Sequence, residues 1–347
     1  MVRYNSAHVN NMKKRPTIVD VAKGAGVTHS TVSRVINNNP AISQETKTKV
    51  LQVISEMRYQ PNLIARSLVR KKTRSFAIIA PDLHPHVLPI LKGITDTCRR
   101  NNYALMLFST DYWADEGISC SEIVRNWLVD GVIIYNVAYH KNIPGNIKEL
   151  QKEGVPLVFI DKYLGTKKVN NISLDNDDAM QQAVGHLVNL GHKRIGMMNG
   201  GLMSVDGIGR SEGYKNALKK YGLEFDENIT GNADFFFHEA YEEMKRILCF
   251  PSKPDAMICA NDEMAAGVIK AVQEKGLKIP QDIAVMGFDD WEGAKFLKPS
   301  LTTLRFPLED IGGRAIDMML NLIEDPKRPV EEVALRARLI VRESTEK

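Results

Sequence analysis

Two different spacings of apolar residues divide the chain near residue 75. Before it, short stretches carry helical spacing: Ile18, Val21, Ala22 and Ala25 stand at i, i+3, i+4 and i+7, the stripe of a one-sided helix. Thr17 precedes the stripe and Asp20 follows three residues on, a variant of the capping box, so a helix is expected to start at Thr17. Gly24 and Gly26 are expected to end it. Thr28 then suits the N-cap of a second helix with Val32, Val35 and Ile36 as its apolar face. Ser43 suits the N-cap of a third, with Val50, Leu51, Ile54 and Met57 predicted buried. Three short helices with a tight turn between the first two form a helix-turn-helix module.

From Ser75 onward, continuous apolar runs alternate with amphipathic segments. FAIIAP, ALMLFS, GVIIY, PLVFI, RIGMMN, AMICA and IAVMGF read as parallel strands, and 178–190, 206–221 and 262–275 as helices between them. Repeated βα units predict a doubly wound sheet. The ~270 residues involved exceed one such sheet and point to two lobes, with a ligand cleft at the strand carboxyl ends.

Charge sharpens this division. Residues 1–74 hold 14 Lys or Arg against Asp20, Glu45 and Glu56, whereas the remainder holds 32 basic against 39 acidic residues, so +11 is followed by −7. A basic end on an acidic body reads as a polyanion-binding arm, because each neutralised phosphate releases condensed counterions. Of the 347 residues, 44% are hydrophobic and 25% charged, the composition of a folded chain. No run of 18 apolar residues appears, and MVRYNSAHVNNMKKRP lacks a signal-peptide pattern, so no membrane partner and a cytoplasmic location are expected. Cys98, Cys120, Cys249 and Cys259 are widely spaced with no C-x-x-C pair, so free thiols are expected and neither a metal nor a cofactor. Residues 1–15 precede any pattern and are expected to be disordered.

On the polar side of the second helix, His29 and Ser33 stack at i, i+4, as do Ser30 and Arg34. Such a strip suits a major groove. The run TIVDVAKGAGVTHSTVSRVINNNPAISQETKTKVLQVISEMRYQPNLIARSL closely resembles the headpiece and hinge of the LacI/GalR family of bacterial transcription regulators. That resemblance implies that the second helix, capped by Thr28, presents its N-terminal residues to base edges. His29, Ser30 and Arg34 would then read bases, Arg34 through a bidentate fork on guanine, while Thr31 and Ser33 touch phosphate. In the hinge, Pro61 and Asn62 can start a short helix with Ile64, Ala65 and Leu68 on one face. The resemblance implies that Asn62, Ala65 and Leu68 meet DNA, with Leu68 wedged between base steps in the minor groove, and that this helix orders only on DNA.

The body resembles the same family in VNNISLDNDDAMQQAVGHLVNLGHKRIG, GRSEGYKNALKKYGL, PDAMICANDEMAAGVIKAVQEKGLKIPQDIAVMGFDD and PSLTTLR. The implied fold is an all-α helix-turn-helix headpiece plus an α/β two-lobed periplasmic-binding-protein-like body of doubly wound parallel sheets. The expected parts are a headpiece at 16–59, a hinge and linker at 60–74, and a body at 75–347. Within the body, lobe one is expected at about 75–170 and 304–340, and lobe two at about 171–303. Asp161, Arg210, Asn261, Asp262 and Asp289 fall where the family's effector contacts lie, and Phe235 or Trp291 could cover a pyranose face. Asp262 also suits a helix cap, and Phe235 in FFF also suits a core position. Where many relatives carry aromatic residues after the first strand, this chain has HPHVL, and His86 with Arg210 would suit a phosphorylated or acidic ligand.

The implied function is a sequence-specific repressor of double-stranded operator DNA, acting as a homodimer and controlled by a small-molecule effector, a sugar or sugar derivative. A dimer without higher assembly is expected, since half-sites call for a twofold pair and RLIVRESTEK carries no leucine heptads. An enzyme on the same scaffold is the rival, but G-x-x-x-x-G-K-[ST], H-E-x-x-H and G-x-S-x-G are missing. The one G-x-G, Gly207 to Gly209, lies beside Arg210 rather than after a first strand.

Overall fold

The computed structural model describes residues 16–59, 73–80, 87–109, 124, 129–135, 143–161, 169–201 and 204–346. The chain divides between Thr73 and Arg74 into two units. In the first, helices α1 (Ile18–Ala25), α2 (His29–Ile36) and α3 (Gln44–Glu56) enclose a core of Val21, Ala22, Ala25, Val32, Val35 and Val50. The predicted capping box forms: Thr17 N–H donates to Asp20 Oδ2 at 2.8 Å, and Asp20 N–H donates to Thr17 Oγ1 at 3.3 Å. Gly26, at φ 63°, takes the left-handed turn that ends α1. Gly24 instead lies inside the helix. A Cβ there would meet Met57 Cε at 2.8 Å and Val53 Cγ1 at 3.0 Å, so its lack of a side chain lets α1 lie against α3. Leu51 departs from its prediction: it is 54% exposed, because it sits about 100° around α3 from buried Val50. Val53, with Ile54 and Met57, fills the seam instead.

The second unit holds two six-stranded sheets. The first runs β11-β5-β4-β3-β1-β2, from β1 (Ser75–Ala80), β2 (Ala104–Ser109), β3 (Gly131–Tyr135), β4 (Leu157–Ile160), β5 (Asn170–Leu174) and β11 (Glu332–Leu335), all parallel. The second runs β12-β10-β9-β8-β6-β7, from β6 (Ile195–Asn199), β7 (Thr230–Asn232), β8 (Ala256–Cys259), β9 (Ala284–Phe288), β10 (Thr302–Arg305) and β12 (Arg338–Ile340). Only its edge strand β12 is antiparallel. Strands β1, β3, β4, β6, β8 and β9 are buried along their whole length, which is why they read as unbroken apolar runs rather than alternating ones.

Between strands lie α4 (Val87–Arg100), α5 (Ile143–Lys152), α6 (Asn176–Asn189), α7 (Val205–Lys220), α8 (Phe237–Ile247), α9 (Asp262–Glu274) and α10 (Leu308–Glu324). The chain passes between sheets three times: after β5, after β10 and between β11 and β12. These passages move the lobe boundaries. A division at 170/171 would cut β5, which pairs whole with β11 in the first sheet, and the 304–340 segment ends with β12, which pairs with β10 in the second.

Glycine sets the contact between α4 and α10. A Cβ on Gly93 would lie 2.0 Å from Glu309 O, and one on Gly312 would lie 2.1 Å from Ile90 O, so the two helices touch backbone to backbone. Gly93→Ala is expected to destabilise the body by about 1–3 kcal/mol through overpacking. Gly313→Ala, whose Cβ would meet only Thr97 Oγ1 at 3.4 Å, should be neutral or slightly stabilising. Thermal denaturation of the two variants side by side checks this, and equal melting temperatures would contradict it.

Candidate functional site

The headpiece presents α2 as a one-sided element. Val32 and Val35 are buried, whereas His29, Ser30 and Arg34 are exposed and Thr31 and Ser33 half-buried. Thr28 caps the helix by accepting from Thr31 N–H at 3.2 Å, and its hydroxyl lies 2.8 Å from Ser30 Oγ and 3.0 Å from Thr31 Oγ1. The first turn is therefore a rigid cluster of hydroxyls beside two exposed nitrogen-bearing side chains. Asn62, Ala65 and Leu68, assigned to the hinge, lie outside the described residues.

In the body, sheet order reverses between β1 and β3 and again between β6 and β8, and ligands of such folds bind beyond the strand carboxyl ends at those points. Tyr135 ends β3 and Asp161 follows β4 in the first sheet. Asn199 ends β6, Ala260 and Asn261 follow β8, and Asp289 follows β9 in the second. They converge. The buried Tyr135 hydroxyl is held well above its ordinary range by burial first, then by Asp161, Asp206 and Asp289, with Arg210 opposing. One tyrosine therefore feels charges carried by both sheets.

Arg210, on α7, organises the cluster. It is buried, pairs with Asp289 at 3.5 Å, donates through Nε to Asn176 Oδ1 at 3.3 Å and through a terminal nitrogen to Ala260 O, and lies 4.6 Å over the Phe288 ring. Asn176 donates in turn to Asp206 Oδ1 at 2.9 Å. Asp161 is the contrast: it is buried, and its Oδ2 has no hydrogen-bond partner. Its carboxyl is raised well above the usual range by burial first and by Asp206 second, against Arg210.

Backbone strain gathers here. Asp161 (φ 82°), Asp234 (φ 32°), Phe235 (φ 71°), Asp289 (φ 94°) and Asp290 (φ 53°) are all left-handed without being glycine, and such residues cost about 1–3 kcal/mol each unless the surroundings hold them. Asp290 is held by Arg342 at 2.7 Å and by Arg305. Phe235 is held by Asn261, whose Nδ2 donates to its carbonyl at 3.0 Å, and its ring lies over Gly200, where a Cβ would come within 2.2 Å. Phe235 is thus half-buried, part core and part rim, and Trp291 is 48% exposed at the next loop.

Two expectations change. Asp262 does not reach a ligand: it is 1% exposed, its Oδ1 accepts from Thr303 Oγ1 at 2.6 Å and its Oδ2 from Trp291 N–H at 2.7 Å, so it anchors the Trp291 loop. Neither does it cap α9, since Asn261 does so by accepting from Met264 N–H at 2.8 Å. The expectation of an acidic ligand on Arg210 also narrows, because that guanidinium already pairs with Asp289 and donates to Asn176 and Ala260 O, and His86 lies outside the described residues. Sequence reasoning missed Tyr135, Asn176, Asn199 and Asp206. Asp206 stands four residues before Arg210 on one helix face, the one signal that could have found it.

Asp161 sets a pH dependence. Its folded pKa is raised, so stability falls as pH rises from about 3.9, the unfolded value, through the folded value. Asp161→Asn removes that fall. The variant is expected to melt higher than wild type at pH 7 and to converge with it near pH 4, as read by thermal denaturation without ligand. Parallel curves across that range would contradict it.

Both units match known families. Residues 17–62 match the family model described as bacterial regulatory proteins, lacI family, and residues 184–345 match a periplasmic binding protein-like domain. Catabolite control protein A of Priestia megaterium is 31% identical over 331 residues, covering 95% of this chain and 99% of that protein. Among solved structures, the lac repressor dimer bound to operator and the anti-inducer ONPF is similar with a TM-score of 0.85 at 27% identity, covering 96% of this chain and 99% of that one. The transcriptional regulator CelR–cellobiose complex is similar with a TM-score of 0.69 at 28% identity, covering 95% and 100%. A helix-turn-helix unit joined to a two-sheet binding body defines a ligand-responsive DNA-binding regulator. This chain belongs to the lacI family of bacterial transcription regulators.

Proposed function

We propose that the protein is a cytoplasmic homodimeric repressor whose hold on operator DNA is set by a carbohydrate bound between its two lobes. The convergence of Asp161 from the first sheet with Asp206, Arg210 and Asp289 from the second carries this reading, since a ligand there touches both lobes and so senses their relative position. Asp161, Arg210 and Asp289 bind hydroxyls, Asn261 positions Phe235, and Phe235 with Trp291 lines the apolar rim. His29, Ser30 and Arg34 read bases, while Thr28, Thr31 and Ser33 contact phosphate. Support comes from the operator-bound dimer and from the cellobiose complex, each a property of those similar proteins. Among the described residues no helix is long and apolar enough to cross a membrane.

Selection of an operator from random duplexes, followed by a sugar screen on the complex, tests the proposal. The expected result is a palindromic site whose affinity changes with one class of sugar. Binding without sequence preference, or a sugar that stabilises the protein without altering its DNA affinity, would overturn it.

A further inference from the structure

We propose that the effector carries a protonated amine on its carbohydrate frame, an amino sugar, with the ammonium seated between Asp161 and Asp206. This rests on the reading of the cleft as the effector site and narrows it.

Among the described residues the cluster sets three carboxylates, Asp161, Asp206 and Asp289, against Arg210 alone. Asp289 is paired with Arg210, Asp290 with Arg305 and Arg342, and Asp262 is hydrogen-bonded by Thr303 and Trp291, so that among the described residues neither Asp161 nor Asp206 has a cation paired with it. Arg210 already faces acceptors of the protein: Asn176, the Ala260 carbonyl and Asp289 take three of its five N–H groups, and the Phe288 ring lies against its face, so at most two N–H groups remain for a ligand.

Asp161 Oδ2 is buried with no partner, an acceptor that the cluster leaves unmet. Asp206 has one oxygen engaged by Asn176. A ligand that completes this site must bring donors, and a buried carboxylate pair is relieved either by a proton or by a cation. An ammonium brings three donors and the charge together. A neutral hydroxyl would meet the acceptors and leave the charge, and a phosphate would add to it. Burial of Asp161 disfavours its charged form, which a cation restores.

Calorimetric titration of the full-length protein with glucosamine, galactosamine and mannosamine tests the proposal, each compared with its parent hexose, N-acetyl derivative and 6-phosphate. One amino sugar is expected to bind about 10- to 100-fold tighter than its three counterparts, the worth of a charge-assisted contact. Asp161→Asn and Asp206→Asn, near-isosteric and checked for folding by thermal melt, are each expected to shrink that preference to within about threefold. A parent, N-acetyl or phosphorylated sugar binding as tightly as the amine would overturn the charge inference and leave the effector cleft standing. A preference unchanged in both variants would remove it from these carboxylates. Binding by no member of any set would overturn both the inference and the carbohydrate reading beneath it.

Discussion

Arg210→Ala is expected to abolish the effector response while operator binding persists. The side chain is the single cation of the described cluster and joins α7 to α6, the β8 carboxyl end and the β9 carboxyl end through Asn176, Ala260 O and Asp289. Its removal strands Asp289, which is only 16% exposed on its side chain, and breaking a buried pair by taking one partner costs about 3–5 kcal/mol. A lysine would not rescue it. One ammonium cannot repeat a planar fork that spans a carboxylate, an amide oxygen and a carbonyl while stacking on Phe288. Because coupling requires that the ligand distinguish two states, loss of the shared anchor removes coupling together with binding. Operator affinity measured by fluorescence anisotropy, with and without effector, should show one unchanging value for Arg210→Ala and Asp289→Ala. A normal effector shift in both variants would disprove the assignment. The headpiece is a separate unit, so its own DNA contacts should survive.

How much of this could be read from the chain depends on the range over which each feature is determined. Thr17 with Asp20, Thr28 and Ser43 act within one helical turn, and all three caps form where the spacing puts them. Leu51 fails because Val50, Val53, Ile54 and Met57, which fill the seam, span about 100° of the α3 circumference and Leu51 lies beyond the edge of that arc. Long apolar strands declare themselves, whereas β11 and β12, four and three residues long, carry no period strong enough to show which sheet they join. Asp161, Arg210 and Asp289 were legible through resemblance and through their place after strands. Asn176 and Asp206 were not, since each gains its role only when α6 and α7 meet beside Arg210. Asp262 shows the same limit from the other side: its residue type suits a ligand contact, and only Thr303, 41 positions away, reveals that it is engaged.

In the headpiece, Arg34→Ala is expected to relax sequence preference, whereas Lys49→Ala is expected to weaken binding to all sequences alike. Arg34 stands on the exposed face of α2, one helical turn beyond Ser30 and the Thr28 hydroxyl cluster, where a guanidinium can fork onto guanine O6 and N7. Losing it should cost about 1–3 kcal/mol of discrimination at one symmetric base pair and leave a weaker, less selective protein. Lys49 projects from α3 to the turn between α1 and α2, where its Nζ would be 3.6 Å from a Cβ at Gly26. That position beside the α2 N-terminus suits a phosphate, so its loss should reduce the salt slope by about 1 without changing which base pairs are preferred. The two effects separate because a phosphate contact positions and a base contact specifies. The acidic body cannot supply either one: residues 75–347 carry 32 basic against 39 acidic groups, so nearly all attraction to DNA must come from the first 74. Competition binding with single-base operator variants at several salt concentrations distinguishes the two substitutions. An Arg34→Ala protein with the wild-type base preference, or a Lys49→Ala protein with the wild-type salt slope, would show that the corresponding residue does not meet DNA in this way.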